Sequence, residues 1–206
     1  MHTTDTPIAS PRGDLASATH LRRLESPIGR IEVVSNGDAI VSLSIEKDGT
    51  LPGDALPESS DRVLDRAVEQ LGEYFSGRRH EFDLPLSLAG TAFQLAVWEQ
   101  LVALDFGEVV SYGELGMATG RSTAGRAVGG AVGANPIPII VPCHRVLGSD
   151  GRITGYSGGA GIPTKSWLLE HEGISHRTPR AADDHDELTL FEQEAEAEAA
   201  EAEPAA

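Results

Sequence analysis

The chain has 206 residues, enough for one ordinary domain or two small ones with a real core. Its single cysteine, Cys143, excludes an internal disulfide and a Cys-rich zinc site, so that thiol is inert packing, a stray surface group or the chemistry itself. The net charge of −16 argues against a nucleic-acid partner only until it is located: residues 182–206 hold 10 acids and no base, whereas residues 88–173 hold 7 acids against 5 bases.

Residues 1–20 are polar with scattered Pro and Gly and read as a flexible arm. They contain no apolar secretory core, and no apolar run in the chain approaches the roughly eighteen residues of a membrane span, so a soluble, cytoplasmic protein with no membrane partner is expected. From Leu21 the pattern turns to strand-like alternation: IEVVS, an Asn36-Gly37-Asp38 turn, then Ala39, Val41, Leu43 and Ile45 on one face. Asn-Gly between such runs predicts a hairpin. A linker rich in Pro, Gly and Ser over 51–60 leads to Val63, Leu64, Ala67, Val68, Leu71, Tyr74 and Phe75 at helical spacing, stopping at Gly77. Residues 21–87 are thus a small strand-and-helix module.

Residues 88–173 read as a mainly helical domain, which makes the chain α+β overall. Thr91 with Gln94 is a capping-box pattern that opens a helix through Phe93, Val97, Trp98, Leu101 and Leu104. Ser111 with Glu114 starts a second, short helix from Tyr112 to about Thr119. Ser122 or Thr123 can cap a third, which runs to Asn135 and is ended by Pro136. Two short helices joined by a tight turn make a helix-turn-helix candidate. There follow the apolar segment NPIPIIVPCHRV, a Ser149-Asp150-Gly151 turn, the loop GYSGGAGIP and a last helix from Thr164 to about Glu172. Residues 174–206 end in FEQEAEAEAAEAEPAA, whose glutamates repel at helical spacing and whose apolar residues form no stripe, so they read as a disordered acidic tail.

The segment ending in Cys143 carries the chemistry. An extended apolar run stiffened by Pro136, Pro138 and Pro142 is expected to present the thiol at one fixed angle. His144 follows at once, but neighbours in an extended strand point to opposite faces, so a Cys–His pair would need a turn there or a bridging water. Arg145 adds positive charge nearby, and cationic neighbours favour the nucleophilic thiolate. On these residues alone a functional cysteine and a packed one remain open, and His144 could equally be a satisfied core histidine.

The second half resembles the O6-alkylguanine-DNA alkyltransferase family over roughly residues 91–173, through five motifs in the family's order: VVSYGEL, GRAVGGAVGANP, VPCHRV, GYSGG and KSWLLEHEG. The resemblance implies direct-reversal repair, in which one alkyl group passes irreversibly from O6 of guanine in DNA to Cys143; O4-alkylthymine is a second substrate it admits. It further implies that His144, through a water, draws the thiol proton and that Glu172 orients it. Asn135 matches the hinge between the helix-turn-helix and the active-site strand. Tyr112 matches a tyrosine that helps rotate the nucleotide out and bonds the guanine edge, and Arg126 matches the arginine that fills the gap. Val146, Tyr156, Ser157 and Lys165 match the base pocket. Arg126, Ala127, Gly129 and Gly130, with Tyr112, would meet double-stranded DNA through the minor groove, because a Gly/Ala helix lets a backbone approach closely but reads few base edges. Close helix packing is the bland alternative for those glycines. The resemblance implies a monomer and no cofactor or metal; a zinc site that some members carry is excluded by the single cysteine.

Three other functions compete. A lesion sensor without alkyl transfer would resemble the same motif with the cysteine replaced, a helix-turn-helix regulator would want base-reading residues on the second helix, and a cysteine hydrolase would use His171 as the base and turn over repeatedly.

Overall fold

The computed structural model describes residues 20–120 and 125–178. The N-terminal arm up to residue 19, the Ser122 or Thr123 cap and the acidic run from 179 onward lie outside the described residues.

The fold opens with an antiparallel sheet of β1 (His20–Leu24), β2 (Ile31–Ser35) and β3 (Ile40–Ile45), in that spatial order. Its β2–β3 hairpin is closed by Asn36, whose Oδ1 accepts from the backbone N–H groups of Asp38 and Ala39, while Gly37 takes a φ of 95° that a β-carbon resists. The buried face of β3 differs from the expected one. Ile40, rather than Ala39 and Val41, lies inside with Leu43 and Ile45, because the register shifts between Val34 and Ser35 and one extra residue of β3 reverses the alternation. Across this sheet lies α1 (Arg62–Phe75), capped by the Asp61 carboxylate accepting from Leu64 N–H and burying Leu64, Ala67, Leu71 and Tyr74.

Both capping boxes form. Thr91 with Gln94 opens α2 (Ala92–Val102) and Ser111 with Glu114 opens α3 (Tyr112–Ala118), each pair bonded in both directions. α4 (Gly125–Gly133) packs against α2 and α3, and the buried Trp98 indole donates to Ala131 O at 2.8 Å. β4 (Val110–Ser111) and β5 (Val146–Leu147) form a parallel pair that residue pattern could not announce, since two residues carry no alternation. The last helix, α5 (Ile162–His171), begins ahead of Thr164, with Gly161 as its cap at φ 73° and Pro163 in its first turn.

One buried core joins the two halves: Ile31, Leu64 and Tyr74 pack in the same cluster as Trp98, Val128, Ile137 and Leu168. The chain beyond Gly173 stays tied to it. Ile174 is buried, Ile153 N–H donates to Arg177 O, and Arg177 N–H donates to Gly151 O, so residues 174–178 belong to the fold rather than to the tail.

Candidate active site

Residues 136–141 form a tight loop and not the expected extended strand. Val141 N–H turns back onto Ile137 O, Pro138 bridges to Val141, and Ile139 sits at φ 73°, a left-handed conformation costing a β-branched residue about 1–3 kcal/mol. Each proline fixes only its own φ, so three of them do not dictate extension. Asn135 closes the loop: its Oδ1 accepts from Ile137 N–H at 3.0 Å and its Nδ2 donates to Val141 O at 2.8 Å. Then Cys143–Arg145 make one turn of 3-10 helix, which removes the strand geometry that would send Cys143 and His144 to opposite faces.

The buried thiol lies on a cavity of about 420 Å³, lined also by Asn135, Pro138, Tyr156 and Ser157 and, from the N-terminal half, by Leu43, Ile45 and Lys47. Gly159 on this wall is at φ 54°, and a β-carbon there would fall 2.7 Å from Thr164 Oγ1 and 2.9 Å from Ile45 Cγ2. Glycine is required at that point.

Burial pushes the Cys143 thiol up, while the Asn135 side chain, the Lys165 charge and Tyr156 draw it the other way. The Tyr156 hydroxyl is buried against the thiol but off hydrogen-bond geometry. Lys165 is itself buried, donates to Val146 O at 2.6 Å and Gly155 O at 3.3 Å, and is pushed down to about 8 by burial. It is therefore still largely cationic at neutral pH. Arg145, expected to supply positive charge to the thiol, does not: Nε donates to Glu172 Oε2 at 2.7 Å, Nη2 to Glu172 Oε1 at 3.0 Å, and Nη1 to Leu104 O at 2.8 Å. A buried carboxylate nearby claims the guanidinium, leaving Lys165 as the cation that acts on sulfur.

That carboxylate belongs to Glu172, whose backbone N–H closes the C-terminus of α5 and whose side chain is 0% exposed. Its Oε1 also accepts from the Tyr74 hydroxyl at 2.9 Å and stands 2.9 Å from His144 Nε2. Burial pushes the Glu172 carboxyl up, but the hydrogen bonds from His144 and Arg145 outweigh burial and hold it well below the usual carboxylate range. An ionised acceptor assigns the proton to Nε2 and leaves a lone pair on Nδ1, which is buried and bonds no protein atom among the described residues. Burial also pushes His144 down, past the opposing pull of Glu172, so the ring is neutral at pH 7.

The sequence-predicted residues therefore separate into three places. Cys143, Asn135, Tyr156 and Ser157 meet at the cavity; His144, Glu172, Lys165 and Val146 are buried but do not line it. Arg126, Ala127 and Gly130 are exposed on α4, Gly129 is half-buried there, and Tyr112 is half-buried at the start of α3. The end of α4 reaches the pocket loop, where Ser157 Oγ donates to Gly133 O at 3.2 Å. Tyr74 was missed as a site residue, although a tyrosine on the buried face of a helix signals a hydroxyl that must find a partner.

Two family models match: 6-O-methylguanine DNA methyltransferase, ribonuclease-like domain, over residues 20–88, and 6-O-methylguanine DNA methyltransferase, DNA binding domain, over residues 92–174. A methylated-DNA--protein-cysteine methyltransferase of Mycobacterium tuberculosis is 42% identical across 84% of this chain and 99% of its own length. The chain belongs to the methylated-DNA--protein-cysteine methyltransferase family. Its fold matches the crystal structure of Mycobacterium tuberculosis O6-methylguanine methyltransferase with a TM-score of 0.67 at 41% identity, covering 84% of this chain and 98% of that one. A structure of Mycobacterium tuberculosis OGT in complex with DNA matches at 0.67 and 42%, covering 75% and 93%.

In this methyltransferase the buried His144–Glu172 pair should make the fold acid-sensitive. His144 lies below its ordinary 6.5 and Glu172 below 4.5, so in each range the unfolded chain binds more protons than the folded one. Stability falls as pH drops, first below about 6.5 and again below about 4.5. Urea unfolding as a function of pH should show both steps. Glu172→Gln should cost about 3–5 kcal/mol at neutral pH, by leaving Arg145 buried without its charge partner, and should flatten the lower step. A variant that keeps the wild-type loss below pH 4.5 contradicts this assignment.

Proposed function

We propose that the chain repairs alkylated DNA by direct reversal, moving the alkyl group from O6 of guanine onto Cys143 once per molecule. The observation that carries this reading is the chain's only thiol, set on a cavity with a neutral, glutamate-bound histidine beside it in the chain. The thiol proton leaves through a bridging water to Nδ1 of His144, and Glu172 stabilises the imidazolium that results. Sulfur then attacks the alkyl carbon: the C–S bond forms as the C–O6 bond breaks, and the electron pair passes to guanine O6. Tyr112 donates at the guanine edge and Lys165 supplies positive charge near sulfur. The product thioether has no ready leaving group, so the cysteine is spent. Asn135 holds the loop that aims it.

The alkyl group sits on the major-groove edge of a stacked base, out of reach of a buried thiol approaching from the minor groove, so the nucleotide is extruded into the cavity, against Tyr156 and Ser157, before transfer. On this reading α3 and α4 form a helix-turn-helix that lies in the minor groove, and Arg126 enters the base stack in place of the departed nucleotide. The glycines of α4 support it. A β-carbon added at Gly129, Gly130 or Gly133 would meet nothing within 4 Å among the described residues, so packing against them gives no reason for these glycines. Each nevertheless weakens the helix by roughly 1 kcal/mol relative to alanine. A duplex backbone pressed against Ala127 and Gly130 supplies the missing reason. The protein works as a cytoplasmic monomer, with the functional half spanning residues 88–173.

Titration against duplex DNA containing O6-methylguanine tests the proposal. Repair should plateau at one lesion per chain, and Cys143→Ser should abolish transfer while still binding duplex, because a serine hydroxyl is a far weaker nucleophile. Continued repair past one equivalent, or an active serine variant, sinks it. For the DNA face, Gly130→Ala should raise the unfolding free energy by up to about 1 kcal/mol and slow transfer from duplex severalfold, with the free base O6-benzylguanine reacting at the wild-type rate. Equal rates on duplex would return those glycines to an unexplained feature of the helix.

A further inference from the structure

The N-terminal half, to which the motifs assign no functional residue, sends one side chain to the buried carboxylate. Tyr74 of α1 is fully buried and donates to Glu172 Oε1 at 2.9 Å. The same oxygen stands 2.9 Å from His144 Nε2 and accepts from Arg145 Nη2 at 3.0 Å, whereas Oε2 accepts from Arg145 Nε. We propose that Tyr74 is a positioning residue for alkyl transfer: by sharing Oε1 with His144, its hydroxyl sets how strongly the carboxylate holds the imidazole while the ring takes the thiol proton. This rests on the reading of His144 as the proton acceptor.

Packing alone does not require the hydroxyl. The Tyr74 ring is enclosed by Phe75, Phe82, Phe106 and His171 at centroid distances of 5.3, 5.5, 6.4 and 5.0 Å, contacts that a phenylalanine ring would keep. A carboxylate oxygen offers about two lone-pair directions, so three donors on Oε1 compete, and each draws electron density from the others' bonds. The position of Tyr74 is also fixed through its backbone, because His171 Nε2 donates to Tyr74 O at 2.7 Å and ties α1 to α5. The charged and titratable groups around the pair, among the described residues, are Arg145 from the 3-10 turn, Lys165 and His171 from α5, and Cys143 with Tyr156 at the cavity. Arg145 keeps the carboxylate ionised with or without Tyr74. Loss of the hydroxyl therefore shifts Glu172 toward His144 without releasing it.

Tyr74→Phe should be tested in the full chain with free O6-benzylguanine, which removes DNA binding from the rate, across about pH 5–9. His144 must be neutral to accept a proton, so the wild-type rate falls on the acid side as the ring titrates. In Tyr74→Phe the stronger hold on the imidazolium should move that limb to higher pH by roughly half a unit, about threefold in rate at a fixed pH on the limb, with the rate above it little changed. An unmoved limb, even with a lower melting temperature, overturns the proposal and leaves Tyr74 as packing. The double variant Tyr74→Phe, His144→Gln should match His144→Gln alone; a further loss would show that Tyr74 acts independently of the histidine. If His144→Gln itself reacts like wild type, the proton-acceptor reading has failed, a result distinct from an unmoved limb in Tyr74→Phe.

Discussion

A single buried carboxylate organises this molecule. Glu172 takes bonds from α1 through Tyr74 and from the 3-10 turn through His144 and Arg145, while its own backbone ends α5. Such a group is tolerated in the interior only because donors surround it and one of them carries a full opposite charge. The rest of the site follows from that requirement. Arg145 is drawn away from sulfur, so the cation that favours the thiolate is Lys165. The carboxylate remains ionised, so the imidazole proton is held on Nε2 and Nδ1 keeps the lone pair that the proposed transfer uses.

The second constraint is local strain held in place by side chains. Ile139 keeps a positive φ because Asn135 pins the loop at Ile137 and at Val141, and that loop leads directly into Cys143. α4 makes a comparable sacrifice, giving up helix stability at glycines that no neighbour among the described residues demands. Both features set stability against geometry, and on the proposed reading both lie where the protein is shaped for a partner rather than for its own interior. The two are joined, since the end of α4 bonds the pocket loop through Ser157 and Gly133.

Much of this was legible in the sequence, where local chemistry decides local structure. The capping boxes at Thr91 and Ser111 and the Asn36-Gly37 hairpin form because their partners lie within three residues. Motif resemblance brought out Cys143, His144 and Glu172 together. What stayed hidden depends on distance or on backbone shape. Tyr74 meets a carboxylate 98 residues away, and Arg145 meets it across 27, separations at which no periodicity speaks. The prolines around Cys143 suggested extension because they restrict φ, yet the turn is set by Asn135 and by a left-handed Ile139 that no propensity foretells. The bulge between Val34 and Ser35 likewise reversed the face of Ile40, since a one-residue slip exchanges the two sides of a strand.

Proton transfer from Cys143 as proposed requires that His144 carry its proton on Nε2 in the unreacted protein. Nitrogen-15 NMR of the histidine-labelled chain at neutral pH measures the site of that proton directly. We predict a neutral ring protonated at Nε2, with Nδ1 showing the shift of an unprotonated nitrogen, and loss of this preference in Glu172→Gln. A ring protonated at Nδ1, or at both nitrogens, would contradict this assignment, because Nδ1 would then have no lone pair to take the proton from Cys143.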